Sequence, residues 1–335
     1  MKIFITGVAG FLGSNLADYY IKKNYQVFGC DNLVGGELSN LNKKVVFYRA
    51  NCENFSSMLK IIKNVDVVCH AAAYAHEGLS VFSPSLITKN IIAGSSSVFS
   101  AAIQNKVKRI VFCSSMARYG KIKPPFKETD IPRPVDPYGV AKLAAEEILK
   151  ILCNIHNVEY NIAVPHNIIG PKQNYKDPFR NVLGIMTNRM LQNKSPIIYG
   201  DGMQTRSFSD IEDCISCLDQ LIVNKKIKSQ IVNIGPDEKI NLITINELSR
   251  KISNILKFNK EPIYYPDRPG EIKNSHCSSD LARKILNYKT KYSLDESIER
   301  AVNFIKAKGA KSFVYNYQVE IKNKHTPITW KKKIF

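Results

Sequence analysis

No uninterrupted apolar run in this 335-residue sequence approaches the length needed to cross a bilayer. The apolar N-terminal stretch, Lys2 to Leu12, is broken by Gly7 and Gly10 and lacks a small-residue cleavage site. It reads as a buried strand and turn, not a secretion signal. Internal repeats and low-complexity segments are missing, which excludes repeat arrays. Paired zinc-ligating cysteines are missing too. Cys214 and Cys217 form one Cys-x-x-Cys, and a structural zinc site needs a second ligand pair at suitable spacing. No metal is expected. The eight cysteines are scattered, and Cys69, Cys113 and Cys153 lie inside apolar runs. Thiols so placed behave as small core residues in a reducing compartment, with the cytosol as the expected location.

Acidic residues are scarce: 29 Asp and Glu stand against 48 Lys and Arg, for a net charge of +19. A nucleic-acid binder gathers its basic residues on one stripe, whereas lysines here are spread along the whole chain. No nucleic-acid partner is expected. Only the tail, residues 311–335, concentrates charge, in Lys331, Lys332 and Lys333 beside Trp330. A solvated basic end is the expectation for it, without stable membrane insertion.

What is present is a strand–helix alternation. Short, nearly continuously apolar runs occupy Lys2–Thr6, Gln26–Cys30, Val45–Tyr48, Val65–Cys69, Arg109–Cys113 and Tyr160–Val164. Such runs suit strands of a parallel sheet covered on both faces. Helical stretches lie at Phe11–Lys23, Pro84–Gln104 and Pro137–Cys153. The pattern predicts an α/β fold built on a doubly wound parallel sheet of Rossmann type. After Gly170 the pattern changes, with a polar, aromatic loop at 171–181 and a helix near Val182–Gln192. A helix at Ile211–Val223 and a strand at Gln230–Ile234 return to the sheet, and shorter helices follow from Lys239. The predicted division is a dinucleotide-binding domain of 1–166 plus about 205–234 and a smaller α/β substrate domain of 167–204 plus 235–310.

Gly7, Gly10, Phe11, Leu12 and Gly13 follow the first strand directly and open the first helix. Glycines there allow a tight turn and let the backbone approach a pyrophosphate, to which the helix N-terminus offers free N–H groups. Asp31 closes the second strand, where a carboxylate accepts hydrogen bonds from ribose hydroxyls and repels a 2′-phosphate. Asn32 follows, with no Arg or Lys to favour NADP. NAD is the expected cofactor.

Asp136 suits a helix N-cap and Pro137 the first helical position, which places Tyr138 and Lys142 on one face. A tyrosine acting as base near neutrality must drop about three units from about 10, or roughly 4 kcal/mol. An ammonium about 5 Å away supplies about 3 kcal/mol at an effective dielectric near 20. Lys142 is therefore expected to provide most of the shift. Ser114 and Ser115 close the fifth strand, and a hydroxyl there can hold the substrate oxygen that Tyr138 deprotonates.

These motifs stand in order with TGVAGFLGS (6–14), CDNL (30–33), HAAA (70–73), CSSMARYG (113–120), DPYGVAK (136–142), NIIGP (167–171), GDGMQTRSF (200–208) and RPGE (268–271). To about residue 310 the sequence resembles the extended short-chain dehydrogenases/reductases of the nucleotide-sugar epimerase/dehydratase family. The resemblance implies a triad of Ser115, Tyr138 and Lys142. It implies NAD contacts at the glycine turn, Asp31, Asn32, Asn51, Ala71, Ala72, Asn90 and Ser114, and a nucleotide-diphosphate grip by Asn167, Asn181, Arg206 and Arg268. Family dehydratases carry an Asp-Glu pair directly after the triad hydroxyl, and here Met116 and Ala117 stand instead. That favours 4-epimerisation through a transient 4-keto sugar, while a one-way dehydrogenase or keto-reductase remains an alternative. A homodimer paired through two helices of each copy is implied as well. Ser275 falls where the family sets room for a sugar 2-substituent. His70 is read as a packing residue, His166 is left open between packing and substrate wall, and Glu77 and Asp177 receive no chemistry.

Overall fold

The computed structural model describes residues 1–236 and 242–335; Lys239, where the C-terminal helices were placed to begin, lies outside the described residues. The first half runs β1 (Lys2–Thr6), α1 (Phe11–Lys22), β2 (Gln26–Asp31), β3 (Val46–Arg49), α2 (Phe55–Ile61), β4 (Val67–His70), α3 (Glu77–Ser80), α4 (Pro84–Gln104), β5 (Arg109–Cys113), α5 (Pro137–His156) and β6 (Glu159–Pro165). Then come β7 (Ile168–Ile169), α6 (Val182–Leu191), β8 (Ile197–Tyr199), β9 (Thr205–Ser207), β10 (Ser209–Asp210), α7 (Ile211–Val223) and β11 (Gln230–Ile234). The chain ends through β12 (Leu242–Thr244), α8 (Ile245–Leu256), β13 (Ile263–Tyr265), β14 (Asn274–Ser275), α9 (Asp280–Leu286), α10 (Leu294–Lys308) and α11 (Ile328–Lys331).

The central sheet has seven strands in the order β3-β2-β1-β4-β5-β6-β11, all paired in parallel. This is the doubly wound arrangement, with its order reversing between β1 and β4. Side chains alternate across it as the pleat requires. Phe4, Ile110 and Phe112 enter one core beneath α2, α4 and α5, while Ile3, Ile5, Val111 and Cys113 enter the other beneath α1 and α7. Cys214 and Cys217 lie in that second core, as expected of packing residues. A third core joins α6, α8 and α10.

Three expectations are corrected. Residues 205–207, assigned by pattern to the dinucleotide-binding part, form β9 in a separate sheet with β12 and β14. The chain rejoins the large sheet only through α7, because β10 pairs with β7 just before it. Second, α4 is long and apolar enough to cross a membrane by length and composition. Interspersed Ser, Asn and Lys break its run in the sequence, and Ile87, Ile91, Val98 and Phe99 are committed to the sheet-facing core. Third, the tail is not a solvated end. Trp330 is only 4% exposed and packs with Phe82, Phe179 and Tyr317, leaving the neighbouring lysines at the surface. An indole in an apolar cluster outweighs the preference of three adjacent ammonium groups for water, which they satisfy without leaving it.

Candidate active site

The sheet order reverses between β1 and β4, and a cavity of about 430 Å³ opens there. Every residue singled out above for cofactor, triad or diphosphate lines this one cavity. Its floor begins at the glycine turn. Gly7 has φ +69°, and a Cβ on Gly13 would stand 2.2 Å from the Gly7 carbonyl oxygen. The turn therefore tolerates no side chain at 13, which lets the N-terminus of α1 meet the strand end. Asp31 accepts from the backbone N–H of Ala9 (3.1 Å) and Leu33 (2.8 Å). Burial raises its carboxyl pKa, offset by these backbone donors. Each oxygen keeps a lone pair free for a ribose hydroxyl.

The wall behind is set by β4 and α4. His70 Nδ1 pairs with Thr6 Oγ1 (2.7 Å) and Nε2 with Ser95 Oγ (3.0 Å), and burial pushes the ring down to about 3. It is a neutral packing residue, as read from sequence. Thr6 Oγ1 also accepts from the backbone N–H of Ala71 and Ala72, fixing the strand end that carries both. Asn90 accepts from the Tyr74 backbone N–H (2.9 Å) and donates to Glu53 (3.2 Å), and so ties the loop after β4 to α4. Asn32 donates to the Tyr74 hydroxyl (2.9 Å), and Asn51 accepts from the Glu53 backbone N–H (3.1 Å).

The triad forms where β5 meets α5. Asp136 caps α5 by accepting from Gly139 N–H at 2.8 Å, with Pro137 at the first position. Tyr138, Lys142 and Ser115 are all buried and line the cavity together, and the Ser115 hydroxyl, which accepts from the Ala117 backbone N–H (3.2 Å), acts to lower the Tyr138 phenol pKa. Lys142 Nζ donates to the Cys113 carbonyl at 2.8 Å, and burial pulls its pKa down to about 8. The electrostatic expectation for Lys142 needs correction. Its amine is drawn back to the strand end, 5.9 Å from the Tyr138 ring centre, and it is not the cation that most lowers the phenol. Burial raises the Tyr138 pKa, the Arg180 guanidinium lowers it and the Glu77 carboxylate raises it.

The diphosphate candidates cluster at the other end. Glu271 bridges Arg206 Nη2 and Arg268 Nε, each at 3.2 Å, and the Arg268 guanidinium lies 4.7 Å from the Tyr199 ring centre. Arg206 also donates to the carbonyls of Thr205 and Lys273. With five N–H groups on each guanidinium, both retain free donors for phosphate oxygens. Asn181 sits at the N-cap of α6 with φ 64°, and Asn167 donates to the Ser207 carbonyl at 3.0 Å. Ser275 lies behind Met116, 3.6 Å from its Sδ. His166 is fully buried against Phe126 and Gly235 and does not line the cavity; burial pushes it down to about 3, and it packs rather than walls the substrate.

Sequence reasoning missed Arg180, His76, Glu146 and the tail residue Tyr317. His76 Nε2 meets Asp177 Oδ2 at 2.7 Å within the cavity wall. Glu146 accepts from the Ser114 hydroxyl and pairs with Arg118 at 3.2 Å, all three buried behind β5. Its spacing offered a signal, since Tyr138, Lys142 and Glu146 recur every four residues on one helix face. Arg180 directly precedes Asn181, but nothing local marks it.

The profile of the NAD dependent epimerase/dehydratase family matches residues 3–235. The chain belongs to this family. A Methanocaldococcus jannaschii protein, provisionally named a UDP-glucose 4-epimerase, is 34% identical over 307 residues, 91% of this chain and 98% of its own. The solved UDP-glucose 4-epimerase of Thermotoga maritima, with UDP-glucose, superposes with a TM-score of 0.86 at 31% identity, covering 92% of this chain and 99% of its own. A UDP-N-acetylglucosamine 4-epimerase from Methanobrevibacter ruminantium, in complex with UDP-N-acetylmuramic acid, gives 0.84 at 28% identity, covering 92% and 98%. All three relatives are almost fully used by the match, while part of this chain is left over.

As a member of the family, the protein is an NAD-dependent enzyme, and its residues fit the cofactor. The glycine cradle leaves room that a Cβ would fill, and Asp31 offers two anchored acceptors. Gly13→Ala is expected to abolish NAD binding, read as loss of the thermal shift that NAD gives the wild type. A stabilisation that survives in the variant would contradict this placement. Arg180→Met removes a positive charge that lowers the Tyr138 pKa, so the phenol pKa rises and the acid limb of the activity profile moves to higher pH. Glu77→Gln should move it to lower pH. A displacement of about one unit corresponds to about 1.4 kcal/mol, and unmoved limbs in both variants would refute the assignment of Tyr138 as base.

Proposed function

We propose that the protein is an NAD-dependent nucleotide-sugar 4-epimerase, working through a transient 4-keto sugar. The carrying observation is the convergence of Ser115, Tyr138 and Lys142, all buried, on one cavity, beside Met116 and Ala117, which cannot move protons. When bound, NAD supplies the hydride acceptor and donor that reversible oxidation at C4 requires. Tyr138 takes the proton of the C4 hydroxyl and returns it, and Ser115 holds the same oxygen. Lys142, anchored on the Cys113 carbonyl, fixes the floor beneath the phenol. Arg206 and Arg268, aligned by Glu271, grip the diphosphate and leave the sugar free to present either face. UDP-linked glucose or N-acetylglucosamine is the substrate class that the relatives favour.

The reading is tested by incubating the purified protein with UDP-glucose and, separately, UDP-N-acetylglucosamine, without added NAD, and following product by NMR. The expected result is the C4 epimer with no build-up of reduced nicotinamide. Net cofactor reduction without epimer would instead mark a dehydrogenase. Tyr138→Phe should lower turnover by roughly 10²–10⁴-fold while keeping substrate binding.

A cytosolic location is supported by eight buried cysteines, all free thiols. A homodimer is supported by α5, where Val140, Ile151 and Ile155 are 51–66% exposed along one side of the helix. An apolar stripe of this kind marks a docking face. Sedimentation velocity should give twice the chain mass, falling to the monomer in Ile151→Glu; a monomeric wild type would end this part of the proposal.

A further inference from the structure

Residues 311–335 leave α10 and cross the side of the molecule that holds the cavity. Their path is pinned at many points. Lys311 N–H donates to Asn188 (3.0 Å), and Val314 N–H donates to the Lys176 carbonyl (2.8 Å). Asn316 donates to the Val34 carbonyl in the loop after β2 (2.8 Å), and Ser83 Oγ donates to the Gln318 carbonyl (2.7 Å). Ser83, at the N-cap of α4, gives no side-chain cap of its own. The Glu320 carboxylate takes that place, accepting from the backbone N–H of Ser85 (3.0 Å) and Leu86 (2.8 Å), where a negative charge also suits the helix dipole. Trp330 then locks against Phe82 and Phe179, with ring centres 5.7 and 5.2 Å away.

Two residues of this strap, Tyr317 and Phe335, line the cavity. Tyr317 is 7% exposed, with its ring centre 4.4 Å from that of His76 and 5.1 Å from that of Tyr74. A Cβ on Gly35 would lie 3.2 Å from its hydroxyl, and one on Gly36 would lie 2.7 Å from the Asp31 carboxylate. Tyr317 thus stands between Gly35, whose neighbour Gly36 abuts the Asp31 carboxylate, and His76, which pairs with Asp177. The strap is anchored on two segments that border the same cavity, the loop after β2 and the loop before α6, and on the start of α4.

We propose that Tyr317 is a ligand-binding residue of the active site and that the strap carrying it encloses the cofactor, so that NAD leaves only when residues 311–335 lift. A ligand held beneath a segment that must open dissociates no faster than the opening allows. The inference rests on NAD binding and not on the choice of sugar or reaction, so failure of the epimerase reading would leave it standing.

The test loads the full-length protein with labelled NAD and measures release into excess unlabelled NAD. Wild type, Tyr317→Ala and Glu320→Ala are compared, with native folding checked by near-ultraviolet circular dichroism. Glu320 touches the backbone of α4 and no cavity side chain, so any effect it has on NAD travels through the strap. Both variants are expected to release NAD at least roughly tenfold faster. Hydrogen exchange of 311–335 is expected to slow when NAD is added. Faster release in Tyr317→Ala alone would keep the residue and overturn the strap. Unchanged release in both, or exchange in 311–335 indifferent to NAD, would overturn the whole proposal.

Discussion

The carboxyl end of one strand holds the site together. Cys113, Ser114 and Ser115 leave β5 in succession, and the first two are tied to α5 by different polar contacts. The Cys113 carbonyl takes the Lys142 amine and the Ser114 hydroxyl donates to Glu146, while Ser115 lines the cavity with Tyr138. Arg118 completes the set by pairing with Glu146 in the interior. These groups are buried, so breaking one contact strands a polar group away from water. Such penalties fix the helix against the sheet more sharply than apolar packing alone, and Tyr138 inherits that precision.

Burial has an electrostatic consequence for Tyr138. It raises the phenol of Tyr138 and lowers the amine of Lys142 to about 8, so burial works against the charged form of each. The balance at Tyr138 is then set by opposed charges from the substrate side, Arg180 against Glu77. Glu77 projects into the cavity within the field of Arg180, Arg206 and Arg268, without an ion-pair partner among the described residues. A dianionic diphosphate seated on the arginines would alter the field that the phenol feels. On the proposed reading, substrate recognition and proton transfer share one set of charges.

Much of this was legible in one dimension because it depends on local rules. A strand covered on both faces must be apolar throughout, and β1, β5 and β11 fall where their runs lie. A turn that brings Gly13 within a side chain's width of the Gly7 carbonyl can hold only glycine. Asp136 and Pro137 announce the start of α5, and the helical repeat then puts Tyr138 and Lys142 on one face. Arg180 and His76 were not legible, because their meaning lies in partners far along the chain, such as Asp177 for His76.

The doubly wound sheet, the glycine turn and the placing of Tyr138 and Lys142 on one helix face could be read from the sequence, since periodicity, backbone sterics and helix capping act over a few residues. Only the tertiary structure decided where the Lys142 amine points, which charges govern Tyr138, that β9 belongs to the smaller sheet, and that the basic tail is built into the cavity wall. Those outcomes are set by competition between desolvation and long-range partners, and that competition is resolved only when distant segments are brought together.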